Sequence, residues 1–375
     1  EKQMKNGNLS TVVVINTITF LLAVSYEMVF TVLPFFLVNT IGVSMIIIGL
    51  LEGGYDLISN SVKIFAGYWS DFLSKRKILA TGILFSIVSR AYFIFGKKWN
   101  DILLAVSLEA ASEGIQVPVS DTVLSSEKKK NLGKIYGINR AVESIGYFVG
   151  IFIAFVYTVY YLKDIPYQTY FYLSIIPLLL AFVMVFLIKE PAKKEKVYPV
   201  PIISLEFFFP RYLILFFVLS FANFGYSFYI LKIYGDILSE SKTIGVYVFF
   251  TILIAVASYL SGKFYDIAGE KRFLQITIFL FFLSHLLMIN MPVVGFLIFA
   301  LADAFLEIGI WATVGKKVKF RKGFVFGTYH FTVGFSSLIA GLVAGYLWDS
   351  FGAEAPFIMG CIASVVAFII IRKYF

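Results

Sequence analysis

The chain has 375 residues, of which 59% are hydrophobic, 18% aromatic and only 15% charged. That balance leaves too little polar surface to clothe a water-soluble globule, so the protein is integral to a membrane. The formal charge of +9 would suit nucleic acid only on a folded basic domain; here the Lys and Arg sit in short loops between apolar runs, which excludes nucleic acid as a partner. One cysteine, Cys361, rules out an internal disulfide.

Apolar runs close to the roughly 20 residues that span hydrocarbon occur twelve times. Segment 1 (10–38) carries Glu27 and is too long for a cleavable signal. Segment 2 (44–66) holds Glu52, Asp56 and Lys63, and runs into Gly67-Tyr-Trp-Ser-Asp71-Phe-Leu-Ser74-Lys75-Arg76-Lys77. Segment 3 (78–95) holds Arg90; segment 4 (102–123) holds Glu109, Glu113 and, near its end, Asp121. Segment 5 (137–161) opens with Arg140 and Glu143, and segment 6 (167–188) is uncharged. The longest non-apolar stretch, Lys189 to Glu206, reads as a linker between two halves, 1–188 and 207–375.

In the second half, segment 7 (211–237) ends near Lys232 and Asp236, and segment 8 (244–264) runs into Gly262-Lys-Phe-Tyr-Asp266-Ile-Ala-Gly269-Glu270-Lys271-Arg272. Segment 9 (273–291) contains His285, and segment 10 (293–314) contains Asp303 and Glu307. Those two are joined through Asn290-Met-Pro292, which demands a tight turn. Segments 11 (324–348), with His330, and 12 (356–371) complete the chain. Most Lys and Arg follow the even segments or flank the termini, while the opposite loops hold Lys97, Lys98, Lys163 and Lys242. Both termini are therefore expected in the cytoplasm of a cell-membrane protein.

The stretches after segments 2 and 8 share the pattern Gly-x-x-x-Asp-x-x-(Gly/Ser)-charged-basic-basic, 195 positions apart. A small residue lets helices approach, the Asp can accept from a neighbouring helix N-terminus, and the basic pair stays at an anionic membrane face. Segments 5 and 11 open with glycines that also correspond, Gly133 with Gly323 and Gly137 with Gly327, at an offset of 190. The repeated loop resembles the signature of the major facilitator superfamily, and so do Tyr26-Glu27-Met28-Val29-Phe30, Gly49-Leu-Leu-Glu52-Gly53 and Gly345-Tyr-Leu-Trp-Asp349-Ser-Phe-Gly352, which look like its prokaryotic branch of transporters and efflux pumps.

That resemblance implies an all-α integral membrane protein with twelve transmembrane helices in two pseudo-symmetric six-helix bundles, working by alternating access. It places segments 1, 4, 7 and 10 around a central cavity, and with them Glu27, Glu109, Glu113, Asp303 and Glu307, with Lys232 toward the outer end. It also implies a cytoplasmic gate of Gly67, Asp71, Lys75, Arg76, Asp121, Arg140 and Glu143, with a thinner version at Gly262, Asp266, Lys271, Arg272 and the basic run Lys316 to Lys322. Two efflux features of the family are missing: an arginine in segment 4, where Glu109, Glu113 and Gln116 stand, and a Gly-Pro pair in segment 5, where Ile151 follows Gly150.

Ionisable residues at mid-bilayer cost about 2.5–3.5 kcal/mol each on insertion scales, so each needs a partner, a wet cavity or a proton. The four-residue spacing of Glu109 and Glu113 recurs in Asp303 and Glu307, which puts each pair on one helix face and marks Glu113 and Asp303 as proton carriers. Glu52, Asp56, Lys63 and Arg90 read as intramembrane pairing, Arg90 with Glu52 or Asp56 and Lys63 close to Asp56. His285 and His330 read as packed side chains. No phosphate-cradling loop and no metal-ligand spacing is present, so no enzyme activity, metal or cofactor is expected. The expected partners are a small-molecule substrate, protons and the lipid bilayer, with the protein a monomer. An acidic, aromatic-rich cavity favours a cationic or amphipathic organic solute. Alternatives are a divalent metal ion on Glu27, Glu113 and Asp303, or a sensor or assembly protein on the same scaffold.

Overall fold

The computed structural model describes residues 11–127, 132–161, 166–188, 210–317 and 322–374. Its helices are α1 (Thr11–Phe30), α2 (Leu33–Phe36) with a π-helical turn (Leu37–Ile41), α3 (Met45–Phe72), α4 (Lys75–Phe95), α5 (Trp99–Glu127), α6 (Leu132–Tyr160) and α7 (Gln168–Val185). They continue with α8 (Pro210–Ser220), α9 (Tyr226–Asp236), α10 (Glu240–Ala268), α11 (Glu270–Asn290), α12 (Pro292–Lys317), α13 (Lys322–Phe351) and α14 (Ala355–Tyr374). No strand occurs among the described residues. The stretch read as a linker, Lys189 to Glu206, lies outside them.

Among the described residues, ten helices are long and apolar enough to cross a membrane, two fewer than the sequence count. The difference has two physical causes. Helix α3 is a continuous 28 residues, but Glu52, Asp56, Asn60 and Lys63 dilute its apolarity. Segment 7 is broken into α8 and α9, each 11 residues long. Segment 1 breaks at the corresponding depth, between Phe30 and Leu33, where Pro34 has no N–H to continue the ladder. The break in segment 7 ends at Gly225, whose φ of 120° is closed to most side chains. The turn between α11 and α12 is a single residue, Met291, as the short connection requires.

Within the first half α1 packs on α5, α6 and α7, α5 on α3 and α4, and α4 on α7; within the second, α12 packs on α10 and α11, and α14 on α8, α11 and α13. The halves meet through α3 against α13, α6 against α10 and α2 against α9. These contacts crowd one face of the molecule, where α2 ends and α3 begins. Across it Gly49 meets the Gly341 backbone, Gly345 meets Met45 and Ile46, and Phe155 lies over Gly245. Asn39 Nδ2 donates to the hydroxyls of Tyr167 (3.1 Å) and Tyr234 (3.0 Å), and the Tyr167 hydroxyl donates to Glu240 (2.7 Å).

The apolar core has the same asymmetry. One large cluster, including Phe36, Phe93, Phe171, Phe228, Phe299 and Phe357, runs through both halves. Toward the other face, which carries Lys75, Arg76, Lys271 and Arg272, the core splits into one cluster confined to each half. The halves are therefore fused at one face and parted at the basic one.

Asp349 fastens the fused face. Its Oδ1 and Oδ2 accept from the backbone amides of Met45 and Ile46, each at 3.0 Å, at the start of α3. Gly345, Asp349 and Gly352 repeat the Gly-x-x-x-Asp-x-x-Gly spacing, so the pattern read at the basic face is also used at the opposite one. A carboxylate on a helix N-terminus contributes about 0.3–1 kcal/mol, up to ~2 when partly buried. Asp349→Asn is accordingly expected to raise the population open at this face by up to roughly 30-fold. Thiol labelling of a cysteine placed beneath the contact reads that population, and an unchanged rate would refute the fastening role.

Candidate substrate cavity

A cavity of about 260 Å³ is lined by α1, α3, α4, α5 and α6, all of the first half. Its polar wall is Glu109, Glu113, Gln116 and Asp121 from α5 with Asn139, Arg140 and Glu143 from α6; its aromatic wall is Tyr26, Tyr55 and Tyr147. Tyr26 stacks on Phe30 at 4.1 Å and lies 6.0 and 6.2 Å from the rings of Tyr55 and Tyr147. This gives flat apolar surface beside charge, the combination that receives an organic ion.

Glu109 and Glu113 do not stand as an unpartnered like-charged pair. Glu109 binds Arg90, with Nη1 at 2.8 Å and Nη2 at 3.3 Å, and Arg90 is fully buried. Arg90 thus pairs with Glu109 rather than with Glu52 or Asp56, because α4 packs along α5 and turns its polar face there. Glu113 binds Lys63 at 2.8 Å. Lys63 therefore reaches across to α5, although Asp56 on its own helix still feels its charge. Arg140 pairs with Glu143 at 2.7 Å, with Asp121 in electrostatic range, and both line the cavity wall.

In the second half, Asp303 accepts from Asn223 Nδ2 at 3.0 Å, within the break in segment 7, and from the Tyr226 hydroxyl at 2.5 Å, at the first residue of α9. Glu307, one turn along α12, feels Asp303, Arg140, Glu143 and Lys63 across the space. Asp56 faces both Glu113 and Asp303. Glu27 is buried in α1, with one hydrogen bond among the described residues, from the Thr31 hydroxyl at 3.3 Å. Glu52 accepts from the Ser227 amide at 2.8 Å and so spans the two halves.

Other sequence candidates fall elsewhere. Lys232 is buried at the fused face with Nζ 3.9 Å from Glu354, away from the cavity. His285 donates from Nδ1 to the Phe281 carbonyl at 2.5 Å and accepts from Tyr229 at 2.9 Å, a packed core residue. His330 meets the Tyr329 ring edge-on, with centroids 5.2 Å apart.

Of the residues read as a gate, Arg140 and Glu143 pair with each other within the first half. Gly67 and Gly262 have nothing within 4 Å of a Cβ position, so neither supports the helix approach expected of it, because the halves are parted at that face. Lys75 Nζ reaches the Thr122 carbonyl at 3.5 Å within its own half. Arg76 and Asp266 have partners. The side chains of Asp71 and Asp236 and the run Lys316 to Lys322 lie outside the described residues. Among those described, no three His, Cys, Asp or Glu side chains converge as metal ligands, so Glu27, Glu113 and Asp303 do not form the metal site considered above.

Sequence reading missed Asn223, Tyr226, Tyr55 and Tyr147. The Asn223-Phe-Gly225 breaker inside an apolar run could have exposed the first two; tyrosines in an aromatic-rich chain carry no such signal.

Comparison with known proteins agrees with this architecture. A transporter of Methanocaldococcus jannaschii, described as an uncharacterized MFS-type transporter, is 26% identical over 369 residues, 93% of this chain and 91% of that one. The quinolone resistance protein NorA of Staphylococcus aureus is 27% identical over 180 residues, only 46% of this chain and 44% of NorA. In three dimensions the crystal structure of the nucleoside transporter NupG superposes with a TM-score of 0.82, covering 98% of this chain and 100% of NupG at 14% identity. The human organic anion transporter MFSD10 superposes with a TM-score of 0.68 at 15% identity, covering 96% of this chain and 98% of that one. The profile of the Major Facilitator Superfamily matches residues 15–329, and with helices, repeat and cavity in accord, the chain belongs to that superfamily of membrane transporters.

Proposed function

We propose that the protein is a monomeric secondary transporter that moves small organic cations across the cell membrane by alternating access, coupled to protons. The two moving bodies are residues 1–188 and 207–375, the basic face is cytoplasmic, and the cavity opens to the cytoplasm in this conformation. The observation that carries the substrate class is the charge around the cavity. Among the described residues Glu109, Glu113, Asp121 and Glu143 line it with Arg140, Arg90 and Lys63 bind the first two acids, and Asp303 and Glu307 add negative charge from the second half. Low-dielectric walls focus the remaining negative field, which repels an anion by several kT.

Proton coupling falls to Asp303, which the sequence also favours, and to Glu27 rather than Glu113. Glu109 and Glu113 are each neutralised by a cation at 2.8 Å, and a proton taken up there would strand Arg90 or Lys63. Asp303 and Glu27 have only neutral hydrogen-bond donors among the described residues. Asp303 therefore stays a proton carrier, and Glu27 takes the place of Glu113.

Matched probes test both statements. Purified protein is expected to bind tetraphenylphosphonium more tightly than tetraphenylborate, and tighter binding of the borate would overturn the charge assignment. In proteoliposomes a pH gradient is expected to drive tetraphenylphosphonium flux, and Asp303→Asn with Glu27→Gln to abolish the drive. Flux indifferent to the gradient in the unaltered protein would refute coupling.

A further inference from the structure

The polar centre of the C-terminal half is tied to the N-terminal half by a half-buried carboxylate. Glu52 projects from the first third of α3 onto the first turn of α9, where its Oε1 accepts from the Ser227 amide at 2.8 Å. The chain makes room for it: at Gly225, with φ 120°, a Cβ would occupy the place taken by the Glu52 carboxylate. Next along the chain stands Tyr226, whose hydroxyl donates to Asp303 at 2.5 Å, and two residues earlier Asn223 donates to the same carboxylate at 3.0 Å. One acid from the first half therefore holds the broken segment whose Asn223 and Tyr226 hold Asp303.

The break makes this tie consequential. A continuous helix would place Asn223 and Tyr226 by its own backbone ladder. Here Phe221 to Gly225 interrupt it, so the orientation of the α9 start depends on what caps it. The cap comes from α3, which belongs to the other half. Relative movement of the halves must lengthen the Glu52 contact, carry the α9 start along, or both.

We infer that Glu52 is a positioning residue that couples the arrangement of the two halves to the hydrogen bonds on Asp303, through the α9 N-terminus and Tyr226. The inference rests on the reading of Asp303 as the cavity acid that responds to pH. Other ionisable groups facing Asp303 are Glu307 on its own helix, Asp56 on α3, Tyr229 on α9, Tyr247 on α10 and Tyr329 on α13; those facing Glu52 are Asp56 and Tyr247. Glu52 is the acid whose carboxylate accepts from the α9 N-terminus, which singles it out as the residue to alter.

The test is the pH dependence of tetraphenylphosphonium binding to the full chain in detergent, read beside gradient-driven flux in liposomes. Binding is expected to show a pH midpoint that Asp303→Asn removes. Tyr226→Phe and Glu52→Gln are expected to move that midpoint in the same direction by similar amounts, and the double variant no further than either alone. Gly225→Ala, which displaces the Glu52 carboxylate and leaves its charge in the protein, is expected to reproduce Glu52→Gln. A midpoint unmoved by Glu52→Gln, shifts that add in the double variant, or the absence of an Asp303-dependent midpoint would each overturn the inference. If this binding pattern appears while flux ignores the gradient, proton coupling fails and the positioning role stands.

Discussion

Arg90→Leu is expected to destabilise the folded protein by about 3–5 kcal/mol, because it leaves the Glu109 carboxylate buried without its partner. Arg90 is fully buried, grips Glu109 through both terminal nitrogens at 2.8 and 3.3 Å, and also donates to the Ser25 side chain at 3.3 Å, so it joins α4 to α5 and to α1. Replacing both Arg90 and Glu109 by leucine is expected to be close to neutral, since the desolvation cost of both charges disappears together with their attraction. Thermal unfolding in detergent separates the two cases. Equal losses in the single and double variants would show that packing, not charge compensation, dominates the site. A single variant that melts with the unaltered protein would dispose of the pair as a structural element.

The second large effect concerns the closed face. Gly341→Val on α13 places a branched side chain against the backbone of Gly49 on α3, where the two helices touch without side chains between them. Overpacking of this kind costs about 1–3 kcal/mol, and here the cost falls on the closed conformation alone, a shift of roughly 5–150-fold toward the open one. A spectroscopic distance between labels at the start of α3 and the end of α13 is expected to lengthen. Gly54→Val on the same α3 helix meets open space and is expected to leave that distance unchanged. Should both variants behave alike, the close approach would not be what holds the face shut.

Much of this architecture was readable in the chain. Composition alone required a membrane protein, the apolar runs located the helices, the 195-residue repeat exposed the duplication, and the Asn290-Met-Pro292 connection dictated a one-residue turn. Each follows from local chemistry: the length of an apolar run, the missing N–H of proline, the spacing of small and charged residues. The acids that surround the cavity were also visible, since a carboxylate inside an apolar run needs a reason to be there.

Their partners were decided by the tertiary structure. Helical periodicity puts Glu109 and Glu113 on one face, yet Arg90 claims the first and Lys63 the second, and only the packing of α4 and α3 along α5 determines that. The same holds for Glu52, which caps a helix 175 residues away in the sequence, and for Asp349, which closes on the start of α3. In water an amphipathic stripe tells which side of a helix meets its neighbours. Within hydrocarbon the lipid-facing side is as apolar as the packed side, so that stripe is nearly absent and the neighbours of each buried charge emerge only when the helices are assembled.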